Sequence, residues 1–241
     1  IFMISDHGEM LGQQGARGKI VSWEESIRVP TLVYHPDLKD KKLCNSVISN
    51  IDIVPTLLEF TGLSKSELRD KHPELKGNSY AELVENVNYD NVRDKEGHLI
   101  HGVQIIPTVF EVAEKFRHTA LADGFLAKTK AFMSEGKFLP DFTPPLNYKG
   151  VVDKKHKFLR FFSPRQNNIP TNYDELTKYN AEYQLYDLEK DPFEMNDLAK
   201  DENNRKLLMS MNDKCNRLAD KEIGLENHVI HLPGPDWFWT T

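Results

Sequence analysis

The sequence predicts an α/β fold followed by a small antiparallel sheet with a helix laid on it. Three observations carry this. Ile1-Phe2-Met3-Ile4 is an uninterrupted apolar run, which reads as a strand buried on both faces, as in a parallel sheet. Ile53, Leu57 and Phe60, with Val54 and Leu58 beside them, form an apolar stripe at helical spacing. Tyr148 to Val152, His156 to Phe162 and Gln184 to Leu188 read as three strands, and a helix with Leu207, Leu208, Met211, Cys215 and Leu218 on one face follows them. Strands in succession and then a helix form a sheet-and-helix subdomain.

The elements follow in order. After the first run, Met10 to Lys19 is a Gly-rich loop. Ser22-x-x-Glu25 is a capping-box pattern and predicts a short helix from Trp23, which Pro30 stops. Thr31 to Tyr34 is a second strand, and Leu43 to Ser49 an edge-like third. Ser49-x-x-Asp52 caps the striped helix; Pro55 sits in its first turn, where proline is tolerated, and Gly62 ends it. Ser64 to Asn91 is polar with short helical pieces, one capped by Gly77-Asn78-Ser79, and residues 92–104 read as loop or hairpin. A longer helix starts near Pro107 and carries Phe110, Ala113, Phe116 and Ala120, with Gly124 breaking it. Lys137 to Pro145 is Pro-rich and marks a boundary, and residues 163–183 read as a Pro/Asn/Tyr loop. The domains expected are residues 1–147, an α/β part, and 148–241, the C-terminal subdomain.

Composition bounds the partners. The chain has 241 residues, of which 39% are hydrophobic and 28% charged, an ordinary balance for a globular chain. A net charge of -6 leaves no basic footprint for nucleic acid. No apolar run approaches the ~18 residues of a membrane helix. Cys44 and Cys215 are too few for a disulfide framework, and they read as thiols.

The chemistry gathers at the chain start. Ser5-Asp6-His7-Gly8 follows the first strand, and ligands of open α/β sheets sit beyond the carboxyl ends of strands. A hard carboxylate oxygen on Asp6 and a neutral imidazole nitrogen on His7 can both ligate a divalent cation. A plain strand-to-loop turn capped by Asp6 reads from these residues equally well. Lys19 follows a flexible basic loop, Gly15-Ala16-Arg17-Gly18.

Longer blocks are more specific. Ser-Asp-His-Gly-Glu-Met-Leu-Gly from Ser5, then Gly18-Lys19, then Glu24-Glu25-Ser26-Ile27-Arg28-Val29-Pro30 before an apolar strand, resembles the sulfatase family of the alkaline-phosphatase-like superfamily. Asp52-Ile53-Val54-Pro55-Thr56-Leu57-Leu58 with Gly62 resembles a helix of that family. Leu185-Tyr186-Asp187-Leu188 with Asp191-Pro192, Glu194 and Asn196-Asp197-Leu198-Ala199 resembles its C-terminal signature. The blocks cover residues 1–62 and 148–199; residues 85–147 match no part of the pattern. The implied fold is the C-terminal part of an alkaline-phosphatase-like sheet sandwiched by helices, plus the antiparallel sheet-and-helix subdomain.

The resemblance implies a sulfuric ester hydrolase, arylsulfatase-like, acting on a small-molecule or glycan sulfate ester. It implies a divalent cation, calcium or magnesium, held in part by Asp6 and His7. It implies that Lys19 touches the sulfate, as a catalytic and substrate-binding point charge with three donors. The family nucleophile is a formylglycine made from Cys or Ser in a short motif. Neither Cys44-Asn45-Ser46 nor Cys215-Asn216-Arg217 matches that motif, so nucleophile and further ligands are expected upstream of Ile1. Calcium takes ~6–8 ligands, so residues 1–241 alone are expected to bind metal weakly and to be inactive. The family also implies an extracytoplasmic place: secreted, periplasmic or lysosome-like.

Gln14 stands where many relatives carry His, which leaves the subgroup open. Asp187, Asp191 and Glu194 lack EF-hand spacing and read as turn-formers of the signature. Trp237-Phe238-Trp239 is an aromatic tail that packs on the body or rims a site. Two other functions remain open: a phosphodiesterase or phosphonate monoester hydrolase of the same superfamily, and a noncatalytic remnant that keeps the scaffold.

Overall fold

The computed structural model describes residues 1–19, 21–36, 38, 41–89, 91–103, 147–162, 169–179 and 182–224. The expected helix from Pro107, the break at Gly124, the boundary at Lys137–Pro145 and the Trp237–Trp239 tail lie outside the described residues.

The first half is built from short elements. Strand β1 (Phe2–Met3) is followed by a hairpin of β2 (Met10–Leu11) and β3 (Arg17–Gly18). Then come α1 (Glu24–Ile27), β4 (Leu32–Val33), α2 (Ile53–Phe60), α3 (Lys65–Lys71), α4 (Ala81–Glu85) and α5 (Val92–Glu96). Strand β1 pairs antiparallel with β4, Phe2 facing Val33 and Met3 facing Leu32. That corrects the parallel, doubly buried strand read from the apolar run. Of the run, Phe2 reaches inward, with its ring centroid 6.3 Å from Phe60 and 6.4 Å from Tyr80, while Ile1 is 82% and Met3 60% exposed. An unbroken apolar run states that a strand can be buried, not which partner covers it or in which direction.

The expected strand at Leu43–Ser49 is not one. Side chains replace the ladder there: Val47 N–H donates to Asp94 Oδ1 at 2.8 Å, and Asn91 Nδ2 donates to Val47 O at 2.7 Å. Both backbone groups of Val47 are thus satisfied by side chains and not by a partner strand. Helix α2 follows its prediction. Asp52 reaches back to the Ser49 N–H at 2.9 Å, and Gly62 ends the helix at φ 99°, its N–H on Glu59 O at 2.9 Å.

The second half is a four-stranded antiparallel meander in the order β5 (His98–Val103), β6 (Asn147–Val152), β7 (His156–Phe161), β8 (Glu182–Asp187). Its first strand comes from the region read as loop or hairpin, so the sheet takes one strand from before residue 147. Two helices pack with it, α6 (Tyr173–Tyr179) and α7 (Arg205–Glu222). Helix α6 lies within the stretch expected to be a loop. Asn172 Oδ1 caps it by accepting from Glu175 N–H at 2.9 Å, and Leu176 anchors it with no exposure. No helix among the described residues is long and apolar enough to cross a membrane.

Period-2 alternation gives the sheet two working faces. On one, Val151, Phe158 and Leu185 meet Leu208, Met211, Cys215 and Leu218 of α7. Each such apolar side chain contributes about 1.5–3 kcal/mol over leaving it in water. On the other, Ile100, Tyr148, Val152, Leu159 and Phe161 meet Ile27 of α1. The second face therefore looks toward the stretch that holds Asp6, His7 and Lys19.

Polar ties join the halves. Arg93 is 1% exposed and grips buried Asp52 with two bonds, Nε to Oδ2 at 2.5 Å and Nη2 to Oδ1 at 2.6 Å; its Nη1 reaches Glu222 of α7 at 3.3 Å. Lys157 of β7, fully buried, lies 2.7 Å from Glu194 and 3.2 Å from Glu24. Gln14 donates to Phe193 O at 2.6 Å.

Candidate active site

The chain turns sharply after β1 because its own side chains hold the turn. Ser5 Oγ donates to His7 O at 2.8 Å, and His7 N–H donates to Asp6 Oδ1 at 3.0 Å. That backbone N–H is the main reason the Asp6 carboxyl is held below the ordinary aspartate range. Gly8 follows, and here only glycine fits. A Cβ on Gly8 would stand 2.0 Å from the carbonyl oxygen of Glu25, while the Gly8 N–H donates to Ser26 O at 2.7 Å. The turn is thus pressed, backbone against backbone, onto α1.

Helix α1 is four residues long and could not stand alone. Its first-turn capping differs from the expected box: Ser22 makes no side-chain cap. The carboxylate of Glu194 accepts from Glu24 N–H at 2.7 Å instead, across 170 residues. Glu194 is 3% exposed; burial pushes its carboxyl up, and the Lys157 ammonium opposes that. So a residue read as a turn-former of the C-terminal signature caps the helix that supports Gly8. The signal in the sequence was the Asp191-Pro192-x-Glu194 spacing; the partner was not in it. Lys157 and Arg93 were likewise missed, since a lysine on a strand and an arginine beside Asn91 carry no local mark of burial.

The β2–β3 hairpin delivers Lys19. Met10 of β2 is 1% exposed and pins the hairpin, and Gly18 takes φ 87°, which other residues adopt only with strain. Lys19 Nζ then lies 2.7 Å from His7 Nε2, and that nitrogen lies 3.4 Å from Asp6 Oδ2. His7 Nδ1 lies 2.7 Å from Gly8 O. A carbonyl only accepts, so we assign the proton to Nδ1, which leaves the Nε2 lone pair facing Lys19 and Asp6. The three side chains thus share one corner of a cleft of about 390 Å³, whose other walls include Val21, Ile27 and Tyr148. Glu9 is exposed and outside the corner.

The donors suit part of a cation's shell. A carboxylate oxygen and an imidazole nitrogen 3.4 Å apart are close enough to be neighbouring ligands of one ion. Among the described residues no third His, Cys, Asp or Glu completes a group of three. Neither thiol stands in the corner: Cys215 is buried on the sheet-facing side of α7, and Cys44 Sγ lies 3.9 Å from Val87 O.

A family model described as Sulfatase matches residues 1–63, the stretch that holds this corner. Over 86 residues, 34% of this chain, it is 41% identical to the ulvan-active sulfatase of Formosa agariphila, and covers 16% of that protein. Over 203 residues, 83% of this chain, it is 30% identical to an arylsulfatase of Clostridium perfringens, and covers 29% of it. It is 37% identical over 71 residues, 29% of this chain and 6% of the relative, to an extracellular sulfatase SULF-1 homolog of Drosophila melanogaster. The chain therefore spans less than a third of the length of these relatives. A structure solved with its substrate D-glucosamine-2-N,6-O-disulfate superposes at TM-score 0.59 and 17% identity, over 95% of this chain and 35% of that one. The phosphonate monoester hydrolase of Agrobacterium radiobacter superposes at 0.56 and 20% identity, over 92% and 35%. The fold is that of the C-terminal part of an alkaline-phosphatase-like α/β protein with its antiparallel subdomain.

Proposed function

We propose that this chain forms part of a sulfuric ester hydrolase, with Asp6 and His7 as ligands of a divalent cation and Lys19 as the sulfate-binding and catalytic cation. The convergence of Lys19, His7 and Asp6 in one cleft, at 2.7 and 3.4 Å, carries this reading. Residues 1–147 are read as the catalytic part and 148–241 as the C-terminal subdomain. The formylglycine nucleophile and the remaining ligands come from sequence other than residues 1–241. An extracytoplasmic site of action agrees with the relative named extracellular.

A bound cation of this kind, calcium or magnesium, supplies a Lewis-acid centre for charge on sulfuryl oxygens. The residues of this chain do the rest of the local work. Asp6 presents a carboxylate that stays ionised, because the His7 N–H favours its charged form. Gly8 O holds the Nδ1 proton of His7 and so aims the Nε2 lone pair into the cleft. Lys19 brings a mobile ammonium to the same point, where it can face the oxygens on which charge develops.

The test uses the complete protein with an aryl sulfate and metal analysis. Lys19→Ala should lower turnover roughly 10²–10³-fold, as loss of one oxyanion donor does, with metal content retained. Lys19→Arg should rescue only in part, since the planar fork is larger. Asp6→Asn should lose metal. Wild-type turnover in Lys19→Ala would show a solvated loop lysine and overturn the reading. The same assay with an aryl phosphonate or phosphodiester separates the sulfatase from the phosphonate hydrolase that shares its fold.

A further inference from the structure

One short turn of the C-terminal half, residues 193–195, touches both supports of the corner. Glu194 caps α1, the helix pressed against Gly8. On its other side stands Gln14, in the loop that joins β2 to β3. Gln14 Nε2 donates to Phe193 O at 2.6 Å and to Met195 Sδ at 3.3 Å.

Both partners hold an unusual backbone. Among the described residues two non-glycine residues take a positive φ, Gln14 at 53° and Glu194 at 55°. That conformation is unfavourable for a residue with a Cβ and persists only where the surroundings over-determine it. The two stand on either side of one contact. Phe193 O is also a fixed point. Glu194 beside it is 3% exposed, with the Lys157 ammonium 2.7 Å from one carboxylate oxygen and Glu24 N–H 2.7 Å from the other. Phe193 and Met195 are 65% and 68% exposed, so the buried residue between them is what holds the turn.

The hairpin needs such a point. Its strands are two residues each, too short to hold a shape by themselves. Met10 pins one foot, and Lys19 leaves the other foot exposed. A lysine has four rotatable bonds and is placed by whatever fixes its backbone. Yet Lys19 Nζ lies 2.7 Å from His7 Nε2. With its tip released, the hairpin can pivot about Met10 and carry Lys19 away.

We propose that Gln14 is a positioning residue: by clamping the hairpin tip to residues 193–195, it sets where the Lys19 ammonium stands relative to Asp6 and His7. The inference rests on the sulfatase reading above. Because Glu194 holds α1 and α1 backs the Asp6–His7 turn, both halves of the corner are referred to the same three residues.

The experiment is a double-mutant cycle on the complete protein, read by aryl sulfate turnover, with metal content and Tm measured on each variant. Gln14→Ala should lower kcat at least ~10-fold, and by no more than Lys19→Ala does, since it acts through that lysine. In the Lys19→Ala background the same change should alter kcat less than ~2-fold. Metal content should stay as in the wild type, because the Asp6–His7 turn is held by its own bonds. Gln14→Glu keeps the shape but has no side-chain N–H to donate, so it should lose turnover as Gln14→Ala does. Wild-type kcat in Gln14→Ala would overturn the assignment. Equal fold losses in both backgrounds would overturn it too, since a purely structural contact costs the same with or without the lysine. Either outcome leaves the sulfatase reading standing, because Lys19→Ala alone tests that reading. Wild-type turnover in Lys19→Ala, or a wild-type protein that cleaves no sulfate ester, would overturn both.

Discussion

Gly8→Ala isolates the contact on which the candidate site leans. The added methyl would stand 2.0 Å from Glu25 O, 3.0 Å from its carbonyl carbon and 3.3 Å from the Ser26 carbonyl carbon. Contacts of this type do not occur below 3.0 Å, so the two backbones must part by about 1 Å. Neither side can rotate away. Helix α1 is fixed by the Glu194 carboxylate on Glu24 N–H, and the turn by its own Ser5 and Asp6 bonds. Overpacking of this kind costs about 1–3 kcal/mol, and the stretched Gly8–Ser26 bond about 1 kcal/mol more. In a domain this large that lowers Tm by roughly 4–15 °C. The same displacement moves Asp6 and His7 by about 1 Å, which costs on the order of 10²-fold in turnover if they hold the cation. Calorimetry, metal titration and aryl sulfate hydrolysis on the complete protein read all three. Gly12→Ala is the control: its Cβ meets nothing within 4 Å, but φ 118° imposes backbone strain, so it should lose stability and keep metal affinity. A Gly8→Ala protein with unchanged Tm and metal affinity would refute the tight approach of the turn to α1.

Three further expectations follow from buried charges. Arg93→Met leaves Asp52, 1% exposed, without its cation and should cost about 3–5 kcal/mol by urea unfolding; a midpoint equal to wild type would mean the pair is dispensable. Burial raises Asp153, but the Lys214 ammonium at 2.5 Å and the N–H groups of His156 and Lys155 outweigh it and hold the carboxyl below its ordinary range. Its contribution is therefore full above the ordinary aspartate range and lost as pH falls through it, so Lys214→Met should cost about 1.5 kcal/mol near neutrality and nothing in strong acid. Stability curves that stay parallel down to low pH would contradict this. Burial, and then Arg160 across the strand pair, pushes the Lys149 amine down to about 8. The fold favours the neutral amine, so stability should rise as pH climbs from about 8 toward the ordinary lysine value of 10.5, and Lys149→Met should flatten that rise; an unaltered slope would place the titration elsewhere.

The elements with their own period were legible in the chain. The stripe of α2, the capping Asp52 and Gly62 around it, the strands at 148–152, 156–161 and 184–187, and the α7 stripe each state which face is buried within a few residues. The pattern on which Asp6, His7 and Lys19 are proposed as a site is also local, because loops that carry chemistry need particular residue types at particular steps. Four matters were decided only when the chain closed on itself. The apolar run at Ile1–Ile4 could not name its partner, and β1 lies antiparallel to β4 because pairing is a property of two strands. The stretch at Leu43–Ser49 has strand composition, yet Asn91 and Asp94 take its backbone bonds. The cap of α1 is Glu194, not Ser22, and Tyr148 reaches the cleft from the far sheet. Hydrogen bonds and packing depend on distance in space, and residues 170 positions apart leave no periodic mark on each other in the sequence.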